Sequence, residues 1–192
     1  MAGYEGVKFK TEMIGEDLPN DSRIENLKHW CKVFDESGLA PPYEGGSYGN
    51  LSFRLKGDAF IITASQSGLG ESTTNDRFVT VLNVDLEKGI VYAKGSRKPS
   101  SEAMVHYAIY HARPDVQAIF HGHCDKISKD AEKLGIPVTL KEEPYGTILL
   151  VEGVLDILDS VNFFEMRNHG FVALGKSLDE AGDLALEFLK KC

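Results

Sequence analysis

Cysteine is scarce in this chain of 192 residues: Cys31, Cys124 and Cys192 are odd in number and far apart. Such a set makes no disulfide framework and points to the cytoplasm. No run reaches the roughly 18 consecutive apolar residues that a membrane span needs. The charged N-terminus, MAGYEGVKFKTEMIGEDLPNDS, lacks the apolar stretch of a secretory signal. Positive charge is also in deficit, with 21 basic against 29 acidic side chains and a net charge of −8. A general binder of nucleic-acid backbone or anionic membrane is thereby excluded, and any anion must be met by local donors. There is no internal repeat, Walker-type loop or G-x-S-x-G elbow, and Gly68-x-Gly70 lacks the third glycine and helix start of a dinucleotide fingerprint.

What is present is ordinary globular material, 42% apolar and 26% charged. The length fits one domain that buries enough core to fold without a disulfide or metal. Residues 1–20 lack periodicity and read as an N-terminal arm; residues 21–192 read as one α/β domain. Ile24, Leu27, Trp30, Cys31 and Phe34 recur at helical spacing, with Gly38 as the stop. LSFRL and AFIITA around Lys56-Gly57-Asp58 predict a hairpin, and FVTVLNVD and GIVYAKG predict two more strands. SEAMVHYAIYHARP predicts a helix with Ser100 as N-cap. DVQAIFHGH reads as a strand and KISKDAEKLG as an amphipathic helix. IPVTL and TILLVEG read as strands or extended segments, and VLDILDSV as a short helix. NFFEMRNHGFVALG reads as two strands bent at Asn168–Gly170, and SLDEAGDLALEFLKK as the closing helix. The alternation predicts a mixed sheet with helices.

Three short stretches carry chemistry. His121-x-His123 ends a predicted strand, where side chains at i and i+2 leave the same face. His169 lies in a later turn, so three neutral imidazoles could share a divalent cation and leave a fourth position open. Taken alone, an H-x-H stretch is as readily a pair of ordinary histidines. In PSSE, Ser100 and Ser101 add hydroxyls to free helix N-terminal amides, an arrangement that suits a phosphate, and Glu102 could act as acid/base or metal ligand. A serine cap with a dipole-friendly glutamate fits those residues equally. GGSYGNLS offers Gly49 amides and the Asn50 side chain to an anion, or simply a turn. His106, four residues after Glu102, either orients that carboxylate or is hydrogen-bonded in the core. Cys124 reads as a small buried thiol or a soft ligand.

Taken in order, GNLSFR (49–54), IIT (61–63), KPSSE (98–102), IYHARPDVQAIFHGH (109–123), PYGT (144–147) and RNHGFVALGKSLDEA (167–181) resemble the class II aldolase/adducin family. The resemblance spans roughly residues 20–190. It implies a three-layer α/β/α sandwich with a central mixed, largely antiparallel sheet, and a cytoplasmic homotetramer. It also implies a metal-dependent lyase that uses Zn2+, or another divalent transition metal, on a small phosphorylated keto-sugar. By motif position His121, His123 and His169 become the metal ligands and Glu102 the acid/base. Gly49, Asn50, Thr63, Ser100 and Ser101 become the phosphate-binding set. The same scaffold could run epimerisation, dehydration or decarboxylation, or serve as a non-catalytic adducin-like module. The chain departs from the pattern between H-x-H and PYGT. That stretch is short and offers no equivalent of the tyrosine that family aldolases use as proton donor; Tyr145 in PYGT is a poor substitute.

Overall fold

The computed structural model describes residues 8–71 and 74–192. In chain order the strands and helices are β1 (Lys10–Gly15), α1 (Ile24–Glu36), β2 (Pro42–Tyr43), β3 (Gly46–Ser47), β4 (Gly49–Arg54), β5 (Phe60–Thr63), β6 (Phe78–Asp85) and β7 (Ile90–Lys94). They continue with α2 (Ala103–Ala112), β8 (Ala118–Gly122), α3 (Asp125–Asp130), α4 (Ile148–Leu158), β9 (Phe163–Met166), β10 (Gly170–Gly175) and α5 (Leu178–Lys191). Eight strands form one sheet in the order β1-β7-β6-β5-β4-β8-β10-β9. β1 runs parallel to β7 and every other neighbouring pair is antiparallel.

Each face of the sheet carries its own apolar core, which makes three layers. Along β8, Ala118 and Phe120 face one core and Ile119 the other, as a period of two requires. The first core takes Leu27, Trp30 and Phe34 of α1, together with Ala181 and Ala185 of α5. The second takes Val105, Ile109 and Tyr110 of α2, and Val151 and Val154 of α4. Fully burying one such large side chain contributes about 1.5–3 kcal/mol, so these two layers, and not an ion, hold the fold. Among the described residues no helix is long and apolar enough to cross a membrane.

Three elements differ from the expectation. Lys10–Gly15, inside the expected arm, is a strand whose register runs from Lys10 opposite Ile90 to Met13 opposite Ala93. It is an edge strand without clean alternation of buried and exposed positions, so its pattern is silent; residues 1–7 lie outside the described residues. TILLVEG is not extended: it opens α4, where the Thr147 hydroxyl accepts a hydrogen bond from the Leu150 amide. A dense aliphatic run is equally compatible with a buried strand or a buried helix, and the threonine cap decides. Ser100 is not the N-cap of α2. That position belongs to Glu102, and the Ser100 hydroxyl accepts from the Glu102 amide at 3.4 Å.

Candidate metal and acid–base site

β4 and α2 are stitched together in register. Asn50, Ser52 and Arg54 project from one face of the strand, about 6.8 Å apart. They meet Glu102, His106 and the Tyr110–Arg113 end of α2, where four residues advance about 6 Å. The Asn50 amide donates to Glu102 Oε2 at 3.0 Å. The Ser52 hydroxyl lies 2.7 Å from both His106 Nδ1 and the Tyr110 hydroxyl. The Arg54 guanidinium donates to the carbonyls of Tyr110 and Arg113, where a cation also suits the helix dipole. The His106 imidazole therefore belongs to the core network and is not hydrogen-bonded to the Glu102 carboxylate; burial pushes it down to about 3, so it is neutral.

The same alternation sends His121, on β8, toward α2. His123 follows just past the strand, its amide donating to Leu39 O at 2.8 Å. His169 arrives from the turn between β9 and β10, where Asn168 takes the left-handed conformation (φ 54°) and its amide donates to Glu142 Oε2 at 2.8 Å. Asparagine tolerates that backbone better than most residues, which explains its place before the histidine. Two glycines permit the approach. Gly49 sits at φ 122°, and a Cβ there would lie 2.7 Å from His121 O. A Cβ on Gly170 would collide with Gly122 O and stand 2.9 Å from the His121 ring.

One nitrogen from each of His121, His123 and His169 lies within 4.8 Å of the others. His121 Nδ1 is 2.8 Å from Phe171 O, so it carries the proton and leaves the Nε2 lone pair facing inward. That Nε2 stands 3.0 Å from His123 Nε2. Burial lowers both His121 and His123, keeping them neutral, as metal ligation demands. Two inward lone pairs at that separation repel unless a cation or proton lies between them, so the donor set fits a divalent metal. His169 Nε2 lies 2.6 Å from Glu102 Oε1, and His121 Nε2 lies 3.1 Å from Glu102 Oε2. Burial opposes charge on Glu102, yet the histidines and the Asn50 amide hold its carboxyl well below the usual range. Burial likewise pulls His169 down, but the facing carboxylate overrides it and raises His169.

These groups open on a cleft of about 620 Å³. Gly49, Asn50, Ser100 and Ser101 line it, whereas Thr63 does not: its hydroxyl accepts from the Leu51 amide and its carbonyl from the Ser100 amide. The neighbouring Ser65 and Ser67 line it instead. Cys124, half-buried, lines the cleft but stands outside the converging nitrogens, and Tyr145 also reaches it. Tyr48 was not singled out by its sequence context, yet its ring packs 5.3 Å from that of His123. Its neighbours Tyr43 and Gly46 form the little β2–β3 hairpin that presents it, a contact no local pattern announces.

A family model described as the Class II Aldolase and Adducin N-terminal domain matches residues 25–192. An L-fuculose phosphate aldolase of Methanocaldococcus jannaschii is 33% identical over 169 residues, covering 81% of this chain and 84% of that one. A second, from Methanococcus maripaludis, is 32% identical over 154 residues, covering 72% of this chain and 79% of its own. Among solved structures, an L-fuculose 1-phosphate aldolase superposes with a TM-score of 0.72 at 24% identity, covering 91% of this chain and 84% of that one, a likeness of fold. A match over residues 25–192 and relatives above 30% identity across most of the chain show that it belongs to the class II aldolase/adducin family.

Proposed function

We propose that this protein is a divalent-metal-dependent aldolase that cleaves, or forms, a C–C bond in a small phosphorylated ketose. The observation that carries the reading is the convergence of three imidazoles on a buried carboxylate at the start of α2. His121, His123 and His169 would hold the cation, zinc being the first choice for three nitrogen ligands. When bound, it supplies Lewis-acid stabilisation of negative charge on the substrate's carbonyl and neighbouring oxygens.

The chain's own residues do the rest. Glu102, ionised at rest, removes the proton from the carbon beside the carbonyl in the synthetic direction; in the cleavage direction it first takes up the proton that the substrate hydroxyl gives up and then delivers it to that carbon. The Asn50 amide fixes one carboxylate oxygen, so the other can turn to the substrate. Ser100 and Ser101, with the Gly49 backbone and the adjoining Ser65 and Ser67, offer the phosphate uncharged donors beside a helix N-terminus. Assembly as a homotetramer and a cytoplasmic location belong to the same proposal.

The test joins a metal assay to a cleavage screen over L-fuculose 1-phosphate, D-ribulose 1-phosphate and 2-keto acid phosphates. Purified protein is expected to hold about one divalent metal per chain and to release an aldehyde from at least one ketose 1-phosphate. Glu102→Gln should keep the metal while losing on the order of 10²-fold or more in solvent-deuterium exchange at the substrate carbon. Metal-free protein, or full exchange in that variant, would overturn the reading. Loss of carbon dioxide without aldehyde would move it to a decarboxylase.

A further inference from the structure

Behind the imidazole cluster, two polar atoms have no hydrogen-bond partner among the described residues: Asn50 Oδ1 and His106 Nε2. Asn50 is 4% exposed and His106 1%, and a polar group buried that deeply is costly to leave unpaired. Both lie on the seam between β4 and α2. Asn50 and Ser52 leave one face of the strand, and Glu102 and His106 meet them from successive turns at the start of the helix. Their other polar atoms are bonded. Asn50 Nδ2 donates to Glu102 Oε2 at 3.0 Å, while Ser52 Oγ lies 2.7 Å from His106 Nδ1 and from the Tyr110 hydroxyl. Glu102 and His121 are both near enough to act electrostatically on the His106 ring.

The protons along this seam have one consistent direction. A phenol is a better donor and a poorer acceptor than an aliphatic hydroxyl. Burial raises Tyr110 further, so it keeps its proton and donates to Ser52 Oγ. Ser52 has a single proton, which then goes to His106 Nδ1. The imidazole is neutral, so its own proton sits on Nε2. His106 therefore offers a buried donor, and Asn50 Oδ1, on the same seam, is a buried acceptor. We propose that His106 is a positioning residue for Glu102: one buried water accepts from His106 Nε2–H and donates to Asn50 Oδ1. Water suits a donor and an acceptor that do not touch directly. The link fixes which way the Asn50 amide faces. With Oδ1 held by the water, the NH2 end stays on Glu102 Oε2; turned over, the amide would set an oxygen against the carboxylate and displace it. Glu102 thus keeps Oε2 anchored and Oε1 toward His169. The inference rests on the aldolase reading above, which gives Glu102 its work. No proton is transferred along the seam; His106 only orients.

The experiment compares two substitutions that each keep half of the ring's bonding. Glutamine places an N–H donor near the position of Nε2, and asparagine a polar group near that of Nδ1. His106→Gln should hold both the kcat of ketose 1-phosphate cleavage and solvent-deuterium exchange at the substrate carbon within about threefold of wild type. His106→Asn should lose on the order of 10-fold or more in both, with KM and metal content within about twofold. The reverse order, or equal loss in two folded variants, overturns the proposal, since a ring that serves only Ser52 is replaced better by asparagine. The tautomer needs no variant. Nitrogen-15 NMR of the zinc-loaded protein with labelled histidine should show His106 in the neutral Nε2–H form, its proton slow to exchange with solvent. An Nδ1–H form overturns the link to Asn50 and leaves the aldolase reading standing. Wild-type protein that neither cleaves a ketose 1-phosphate nor exchanges the carbon proton of dihydroxyacetone phosphate overturns the aldolase reading, and the positioning role with it.

Discussion

Gly170 is where one added methyl group says most about the site. It follows His169 and pairs with Met166 across the β9–β10 turn. An ideal Cβ there would collide with the backbone oxygen of Gly122 and stand 2.9 Å from His121 Cε1 and 3.0 Å from His123 Cδ2. A backbone oxygen cannot rotate away as the tip of a long side chain can. Gly170→Ala must therefore push β10 from the end of β8, or turn both imidazoles off their common point. Overpacking of this kind costs about 1–3 kcal/mol. For a chain of this size that is a fall in Tm of roughly 2–12 °C. Metal affinity should drop on the order of 10–100-fold, the usual cost of disturbing the groups that orient ligands. Urea denaturation and competition with a chromophoric zinc chelator measure the two effects. Wild-type zinc affinity in a variant of unchanged stability would refute the claim that this glycine seats the ligand rings.

Zinc added at about 100 times its Kd should stabilise the wild type by about 2.7 kcal/mol. His121→Ala should keep a cooperative melt but lose that increment, since both apolar cores lie away from the ring; calorimetry with and without metal checks it. Ser52→Ala removes the shared partner of His106 Nδ1 and the Tyr110 hydroxyl, and is expected to cost about 1–3 kcal/mol in urea titrations. The raised Glu165 carboxyl sets a pH dependence of definite sign. The folded state binds this proton more tightly than the unfolded chain, so its contribution is complete below about 4.5 and is lost as pH rises through about 7. Up to about 3 kcal/mol is at stake. The difference in denaturation midpoint between wild type and Glu165→Gln should shift against the wild type between pH 5.5 and 8.5, and a constant difference would contradict the assignment.

Much of the site was readable along the chain because its pieces are local. H-x-H at a strand end needs only the two-residue alternation to place both rings on one side. PSSE needs only a helix start, and N-H-G only a turn that favours asparagine followed by glycine. Helix α1 declared itself through Ile24, Leu27, Trp30 and Phe34, since an amphipathic surface helix has one wet face. Helix α4 did not, because a run such as TILLVEG, packed on α2 beside the sheet, is too apolar for its period to show. Strand β1 was silent for the opposite reason: at the sheet edge its side chains are mostly half-exposed or exposed, and its partner β7 lies far along the chain.

By its own order of residues, the chain determined which groups are available for chemistry: three imidazoles, a carboxylate at a helix start, and glycines where backbones must touch. Only the tertiary structure decided which groups meet. It bonded the His106 imidazole to Ser52 and not to the Glu102 carboxylate, turned the Thr63 hydroxyl to a backbone amide, and brought Tyr48 to His123. It also buried Glu165 against Ser128, since contact across a sheet depends on strand order and register, which local periodicity leaves open.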